Sequence, residues 1–279
     1  MNNVHTPLTD APRRLFAGAA KVAPEMIVSS VPTQLLTAGD ALDLIEAHWA
    51  SDQDQPLGVA SINLDHIHHF GEKGAWHGSL GKSMPWLNLI DGAPIAKKAR
   101  RLTGTPWPRL AGSDLMGPIL DRAQAGGIRV GFLGGAAPTL MKLRETAAVE
   151  WPHLTIAGTW APPRQQIVDP AASRELAAEV REANVDLLVV CLGKPRQEAW
   201  IEANGAATGA RVLLAFGAVV DFLAGEVSRA PQVIAEAGLE WAWRLAQEPS
   251  RLARRYLVQG PPAYLQLQRA TLGGSFGHE

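Results

Sequence analysis

One short segment of the chain places two cations, an amide and a carboxylate side by side. It is Gly193-Lys194-Pro195-Arg196-Gln197-Glu198, and it directly follows the apolar run from Val185 to Leu192. Two cations can neutralise a diphosphate leaving group, and the Gln197 amide can recognise a sugar hydroxyl or the edge of a base. The same residues could instead form a helix N-terminus with solvated charges. Because ligands bind at the carboxyl ends of buried parallel strands, the position favours a binding site.

Asp91, Asp221 and the pair Gly134-Gly135 also follow apolar runs. Asp91 could act as a general base at a strand end, but Asp-Gly is also a common turn dipeptide. Asp221 could bind a base or ribose hydroxyl, or cap the next turn. Glycine after a strand lets a diphosphate approach the backbone, yet Gly134-Gly135 is not a complete GxGxxG or GxxxxGK[ST] motif. Taken alone, Asp91 and the glycine pair are better explained as turns.

A polar cluster begins at the end of the first strand of the predicted α/β pattern. Ser61, Asn63 and Asp65 alternate, which on a strand would place their side chains on one face. Three close histidines follow, at His66, His68 and His69. They resemble a metal-binding tract only weakly, and no Glu or Cys stands at a standard ligand spacing. The sequence therefore predicts no metal site.

The elements that would position these residues alternate between strands and helices. Strands are predicted at 58–63, 128–133, 154–157, 185–192 and 211–216, and helices at 39–50, 94–102, 113–125, 139–150, 170–183 and 197–204. Asp40 is the expected N-cap of the first helix, and Ser113 or Asp114 that of the third. This alternation predicts an α/β fold, a Rossmann-like, mostly parallel sheet with helices on both faces. Residues 31–229 form the predicted domain, after a lead-in at 1–30.

The pattern changes after Arg229, where residues 230–279 predict a helical appendage with helices at 231–247, 249–258 and 261–272. Its arginines are spaced so that three of them lie near one helical face. These are Arg244, Arg251 and Arg255, with Arg254 beside them. Tryptophans and a tyrosine lie among them, so the pattern indicates a basic, aromatic surface for anionic lipid head groups or a lipid pyrophosphate. A solvated helix face with buried tryptophans is the alternative.

The composition sets limits on the class of protein. The 279 residues carry a net charge of −1, and 47% are hydrophobic and 19% charged, which is typical of a globular protein and argues against a nucleic-acid binder. The single cysteine excludes an intrachain disulfide and favours a reducing cytoplasm. No apolar run approaches the length needed to cross a bilayer, so we expect any membrane contact to be peripheral.

Eight stretches of the chain together resemble the WecG/TagA/CpsF glycosyltransferases, glycosyltransferase family 26. They occur in the family's order: SINLDH (61–66), DGAPI (91–95), GSDLM (112–116), FLGG (132–135), LGKPRQE (192–198), AFGAVVDFLAG (215–225), RAP (229–231) and GLEWAWRLAQEPSRLARRY (238–256). The sequence departs from the family in having Ser61 where threonine is usual, and Gly117 before Pro118 where proline often follows GSDLM directly. Because serine keeps the hydroxyl, we expect donor binding to survive.

The resemblance implies an inverting, metal-independent transfer from a UDP-sugar to a sugar carried on undecaprenyl diphosphate, with no cofactor. The donors of relatives include N-acetylmannosamine, its uronic acid and glucose, and the NLDH form of the first motif favours exopolysaccharide assembly. The resemblance makes Asp91 the expected general base, and places Arg244, Arg251, Arg254 and Arg255 in an appendage that closes over the site and meets the inner face of the cell membrane. The expected donor-binding residues are Ser61, Asn63, Gly134, Gly135, Gly193, Lys194, Gln197, Glu198 and Asp221.

Two other functions fit parts of the sequence. An NAD-dependent oxidoreductase would share the alternating pattern, but no GxGxxG follows the first strand. A non-catalytic UDP-binding scaffold of a polysaccharide assembly complex is opposed only by the intact Asp91, Gln197 and arginines. An apolar face left when the appendage moves could serve a homo-oligomer.

Overall fold

The computed structural model describes residues 23–51, 53–227, 240–247 and 249–273, and its centre is a nine-stranded sheet. The strands are β1 (Glu25–Val28), β2 (Val31–Gln34), β3 (Leu57–Ile62), β4 (Trp86–Ile90), β5 (Arg129–Leu133), β6 (Thr155–Trp160), β7 (Leu187–Val190), β8 (Val212–Ala215) and β9 (Thr271–Leu272). They are ordered β6-β5-β7-β8-β3-β4-β2-β1-β9. Strands β2 to β8 pair in parallel, whereas β1 is antiparallel to both β2 and β9.

Helices cover both faces of this sheet. They are α1 (Ala38–Trp49), α2 (Leu64–Phe70), α3 (Ala93–Thr103), α4 (Gly112–Ala125), α5 (Ala137–Glu150), α6 (Arg164–Val168), α7 (Pro170–Glu182), α8 (Arg196–Asn204), α9 (Val219–Leu223), α10 (Glu240–Gln247), α11 (Pro249–Ala253) and α12 (Gly260–Gln268). One core layer joins the sheet to α1, α4 and α5, and the second joins it to α2, α3, α7, α8 and α12. The predicted α/β class, with a mostly parallel sheet between two helical layers, is confirmed.

The burial of the central strands explains why runs of apolar residues identified two of them. Every side chain of β3, β4, β7 and β8 is buried, because helices cover both faces of the central strands. Strands β7 and β8 therefore read as continuous apolar runs, whereas β3 also buries Ser61 and β4 buries Asn88. Their carboxyl ends lie side by side, since β8, β3 and β4 are neighbours in the sheet.

Two helix starts differ from the prediction. Thr37, not Asp40, is the N-cap of α1: its hydroxyl accepts the Asp40 N–H at 3.2 Å, and Asp40 accepts the Thr37 N–H at 3.2 Å, which forms a capping box. Helix α4 begins at Gly112 after Ala111, before Ser113 and Asp114. A Cβ atom at Gly112 would lie 2.5 Å from the Phe216 ring, so this first turn packs directly against the end of β8.

Strands β1, β2 and β9, which lie together at one end of the sheet, were not predicted. β1 lies within the segment expected as a lead-in, of which residues 1–22 are outside the described residues. β9 lies within the predicted helix at 261–272, because α12 ends at Gln268 and the chain then returns to pair with β1. The predicted helix at 249–258 is observed as α11 followed by a π-helical turn at Arg254–Gln259. Only residues 240–247 of the predicted helix at 231–247 are described, and they are helical.

The predicted common face of Ser61, Asn63 and Asp65 is wrong. Strand β3 ends at Ile62, Asn63 is the N-cap of α2, and Asp65 lies inside that helix. The Asn63 side chain accepts the backbone N–H of His66 at 3.2 Å, which turns the chain out of the sheet. A strong N-cap therefore overrides the alternation, and it places Asn63 itself at the strand end.

Candidate active site

A cavity of about 890 Å³ lies at the carboxyl ends of β3, β4, β7 and β8 and is covered by the π-helical turn and α12. This is where ligands bind in open parallel sheets. The polar or charged side chains that line it are Ser61, Asn63, Asp65, Asp91, Arg109, Ser113, Lys194, Arg255, Tyr256 and Tyr264. The sequence-predicted residues at the ends of β3, β4 and β7 are thus brought together.

Asp91 is anchored on one side only. Its Oδ2 atom accepts a hydrogen bond from the Asn63 side-chain amide at 3.0 Å, and its backbone N–H donates to Ile62 O at 2.8 Å. Gly92 follows with a φ of 87°, a conformation that glycine adopts without strain, and starts α3. No hydrogen bond to Asp91 Oδ1 is found within the described residues. Asp91 therefore lines the cavity with one carboxylate oxygen held and the other available to a ligand hydroxyl.

Lys194 is used by the protein to hold the end of β3. Its ammonium donates to the backbone carbonyl of Ser61 at 2.6 Å and lies 3.5 Å from the Asn63 side-chain oxygen. Burial lowers the pKa of Lys194, and the nearby Glu198 carboxylate opposes that shift. The predicted diphosphate contact of this lysine stays a prediction, but the geometry shows that its hydrogen bonds already go to the Ser61–Asn63 segment.

Gln197 and Glu198 lie beneath the cavity and do not line it. They are 1% and 0% exposed. The Gln197 side chain accepts the Gly193 N–H at 3.1 Å and donates to Ala215 O at 2.8 Å and to Glu198 at 3.1 Å. It therefore ties the loop after β7 to the end of β8. Any contact of Gln197 and Glu198 with a donor, which is expected from the family resemblance, would be indirect in this geometry.

The glycine pair, Asp221 and Arg254 also lie outside the cavity lining. Gly134 has a φ of 103°, and a Cβ atom there would lie 2.5 Å from Cys191 O; Gly135 has a φ of 86° and packs against Val220. Close packing therefore accounts for both glycines. Asp221 lies in the first turn of the short helix α9.

Asp65 connects α2 to the C-terminal segment. Its carboxylate lies 3.3 Å from the Arg255 guanidinium and 3.6 Å from the His69 ring. Arg255 is the only one of the four predicted arginines found in the cavity lining of the described residues, since Arg254 is exposed and the side chains of Arg244 and Arg251 lie outside the description. The interaction brings a guanidinium from residues 249–273 to the cavity wall.

His66 and Glu198 form a buried pair behind Lys194, with 3.9 Å between the His66 Nδ1 and Glu198 Oε1 atoms. Burial lowers the pKa of His66 well below its usual value, so the ring is neutral at pH 7. Burial also raises the pKa of Glu198 to about 6, against the opposing charge of Lys194. The described part of the chain contains no group of three His, Cys, Asp or Glu side chains placed to hold a metal ion.

Arg109 is a site residue that the sequence analysis did not predict. It lines the cavity and pairs with Asp114 at 3.1 Å. Its segment is held beside the sheet by two hydrogen bonds, from Leu110 N–H to Ile90 O at 2.6 Å and from the Ser61 hydroxyl to Leu110 O at 3.2 Å. The segment is an irregular, proline-rich loop, so no periodicity pointed to it. The only signal was an arginine just before the GSDLM stretch.

The fold and the cavity define a Rossmann-like α/β protein whose binding site combines an anchored carboxylate with two arginines. Residues 26–275 match the family model described as the Glycosyl transferase WecG/TagA/CpsF family. Because this match covers nearly the whole chain, the protein belongs to that family and is a glycosyltransferase. No helix among the described residues is long and apolar enough to cross a membrane.

Proposed function

We propose that this glycosyltransferase moves a sugar from a UDP-sugar to an undecaprenyl-diphosphate-linked sugar, with inversion and without a metal ion, in the synthesis of a cell-wall or exopolysaccharide polymer. The observation that carries the proposal is the hydrogen bond from Asn63 to Asp91 at the wall of the cavity. It holds one carboxylate oxygen, and we assign the second, to which no hydrogen bond is found among the described residues, to the acceptor hydroxyl. The UDP-sugar and the lipid-linked acceptor are the substrates that the family resemblance implies, and we place the reaction at the inner face of the cell membrane.

The reaction is a single displacement. Asp91 takes the proton from the acceptor hydroxyl, whose oxygen attacks the anomeric carbon of the donor from the face opposite UDP. A new C–O bond to the acceptor forms as the anomeric carbon's bond to the diphosphate oxygen breaks, and UDP leaves with the bonding electrons. The configuration at the anomeric carbon is inverted because there is one displacement.

The charge that grows on the leaving diphosphate requires cations that are already in place. Arg109 and Arg255 line the same cavity as Asp91, and a guanidinium offers a charged fork to phosphate oxygens. Lys194 adds positive charge at the wall while holding the Asn63 segment. Preorganised donors of this kind typically contribute about 100- to 1000-fold in rate each.

The test is the release of UDP from a panel of UDP-sugars, with and without a polyprenyl-diphosphate-sugar acceptor, in EDTA. We expect release that depends on the acceptor, and a loss of about 100-fold or more in Asp91→Asn. Asp43→Asn is the matched control, because it removes a carboxylate from an exposed ion pair with Arg122 on α4. Wild-type turnover by Asp91→Asn would refute the assignment of the base. UDP binding without release from any donor would favour the scaffold function.

A further inference from the structure

The Lys194 side chain takes the place of a missing strand partner at the end of β3. Ile62 O accepts the Asp91 N–H from the β4 side at 2.8 Å, so the preceding carbonyl, that of Ser61, points toward β8. The parallel register of β3 with β8 ends one residue earlier, at Ala60. The Lys194 ammonium instead donates to the Ser61 carbonyl at 2.6 Å. It therefore holds a carbonyl that lies beyond the last registered pair of the two strands.

The same ammonium helps to determine which way the Asn63 carboxamide faces. It lies 3.5 Å from Asn63 Oδ1, which also accepts the His66 backbone N–H at 3.2 Å. Two donors on one side require the oxygen of the carboxamide there, so its NH₂ group points away from them, to Asp91 Oδ2 at 3.0 Å. A carboxamide rotated by half a turn would place its NH₂ group against the ammonium and its oxygen against the Asp91 carboxylate. Both contacts would be repulsive.

The charge on this ammonium depends on the carboxylates around it. Burial lowers the pKa of Lys194, and the Glu198 carboxylate opposes this shift most strongly. Asp65 and Asp91 oppose it less, and the Arg255 charge acts in the same direction as burial. Glu198 is 0% exposed, and its Oε2 atom has no hydrogen-bond partner among the described residues. Because a buried carboxylate is costly unless a cation lies near it, Lys194 and Glu198 stabilise each other.

We infer that Lys194 is a positioning residue of the transfer reaction, whose ammonium orients the Asn63 carboxamide and, through it, the carboxylate of Asp91. This role differs from the one predicted from the sequence, in which Lys194 contacts the donor diphosphate. The inference rests on the proposed function, because it takes Asp91 as the general base.

The test replaces Lys194 by Met, which is unbranched and uncharged. Because this change alone leaves Glu198 as a buried carboxylate without its cation, the paired variant Lys194→Met/Glu198→Gln is made as well. The control is Lys73→Met, which removes the same charge from an exposed lysine outside the cavity lining. Thermal unfolding establishes that each variant used for kinetics is folded.

Kinetics with a second substitution show whether Lys194 acts through Asn63. Lys194→Met should lower kcat by about 100-fold, the typical cost of displacing a reacting group by about 1 Å. Asn63→Ser keeps an N-cap oxygen for α2 but removes the amide, and it should cost about as much. The combined variant should lose no more than either change alone, because residues that act as a unit are not additive. Multiplied losses of about 10,000-fold, or a wild-type kcat in Lys194→Met, would overturn the inference.

UDP binding separates positioning of the base from a direct contact with the diphosphate. In calorimetric titrations, the UDP affinity of Lys194→Met should fall much less than its kcat, and that of Lys73→Met should equal the wild-type value. A loss of UDP affinity as large as the loss of kcat would assign the ammonium to the diphosphate and contradict the positioning role.

The orientation of Asn63 can also be measured without sugar transfer. Its side-chain NH₂ resonances, assigned by their absence from the spectrum of Asn63→Ser, should exchange slowly with water in the wild type and rapidly in Lys194→Met. Unchanged exchange would overturn the inference whether or not the protein transfers sugar. Faster exchange in Lys194→Met together with wild-type turnover in Asp91→Asn would refute the proposed base and leave the orientation of Asn63 by Lys194 standing.

Discussion

Asn63 performs two tasks with one side chain, and substitutions can separate them. Its oxygen accepts the His66 N–H at 3.2 Å and caps α2, while its amide nitrogen donates to Asp91 at 3.0 Å. Serine is about as good an N-cap as asparagine but is too short to carry an amide to the carboxylate. Alanine removes both functions. We therefore expect Asn63→Ser to lose activity and keep stability, and Asn63→Ala to lose both.

The magnitudes follow from the two contacts. Loss of the cap costs about 1 kcal/mol, which for a chain of this size lowers Tm by about 2–4 °C. Loss of the amide leaves Asp91 without its lateral anchor, and displacement of a reacting group by about 1 Å costs on the order of 100-fold in rate. Both variants should therefore lose on the order of 100-fold in kcat, and only Asn63→Ala should melt earlier.

The assay is acceptor-dependent UDP release together with thermal unfolding, on both variants and the wild type. Ser61 O still holds the Lys194 ammonium in each variant, so the β3 end remains supported. Wild-type kcat in Asn63→Ser would refute the claim that the amide positions the base. A melting point in Asn63→Ser as low as that of Asn63→Ala would refute the separation of the two tasks.

Three further predictions test other parts of the structure. Arg255→Ala should lower kcat/KM by about 100-fold and Arg254→Ala should not, because Arg255 lines the cavity and Arg254 does not. Equal kinetics of the two variants would refute that difference. Glu202 accepts hydrogen bonds from the backbone N–H groups of residues 81–83 at 2.7–3.0 Å and from the Trp86 indole N–H at 2.8 Å. Glu202→Gln should therefore lower the free energy of unfolding by about 1–3 kcal/mol. An unchanged midpoint of urea unfolding would contradict this. Burial raises the pKa of Glu198 from 4.5 to about 6, so the folded state binds the carboxyl proton more tightly than the unfolded state does. The stability that comes from this difference is fully present below pH 4.5 and is lost as the pH rises through 6. Relative to Glu198→Gln, the wild type should lose on the order of 2 kcal/mol across that interval, and parallel pH–stability curves would refute the raised pKa.

The fold could be predicted from the sequence where burial leaves a pattern. Strands β7 and β8 are entirely buried apolar runs, and each is followed by a helix. This pattern allowed the parallel sheet and its two helical layers to be predicted. Strands β1 and β9 were not predicted, because they pair with each other although more than 230 positions separate them in the chain. Strand β1 also pairs with β2, across a two-residue turn. β9 is only two residues long, which is too short for any alternation to show.

The location of the candidate site was predictable from the sequence, but the contacts of its individual side chains were not. The positions after β3, β4 and β7 meet in the cavity as expected, because parallel strands end at one edge of the sheet. However, the LGKPRQE stretch presents its cations, amide and carboxylate together in the sequence, whereas the fold buries Gln197 and Glu198 beneath the cavity and engages Lys194 with the end of β3. Lys194 holds Ser61 O, Gln197 ties β7 to β8, and Glu198 pairs with His66.

The consequence concerns which cations a diphosphate would meet. Sequence position suggests the lysine after β7, whereas the side chains that line the cavity with a guanidinium are Arg109 and Arg255. Arg109 comes from an irregular loop, which has no period that a sequence pattern can reveal, whereas Arg255 lies in a π-helical turn within a segment that was predicted to be helical. Their placement depends on long-range contacts, the Leu110–Ile90 hydrogen bond and the Arg255–Asp65 ion pair. The buried strands therefore fix where the candidate site lies, and tertiary contacts between irregular segments decide which charges line it.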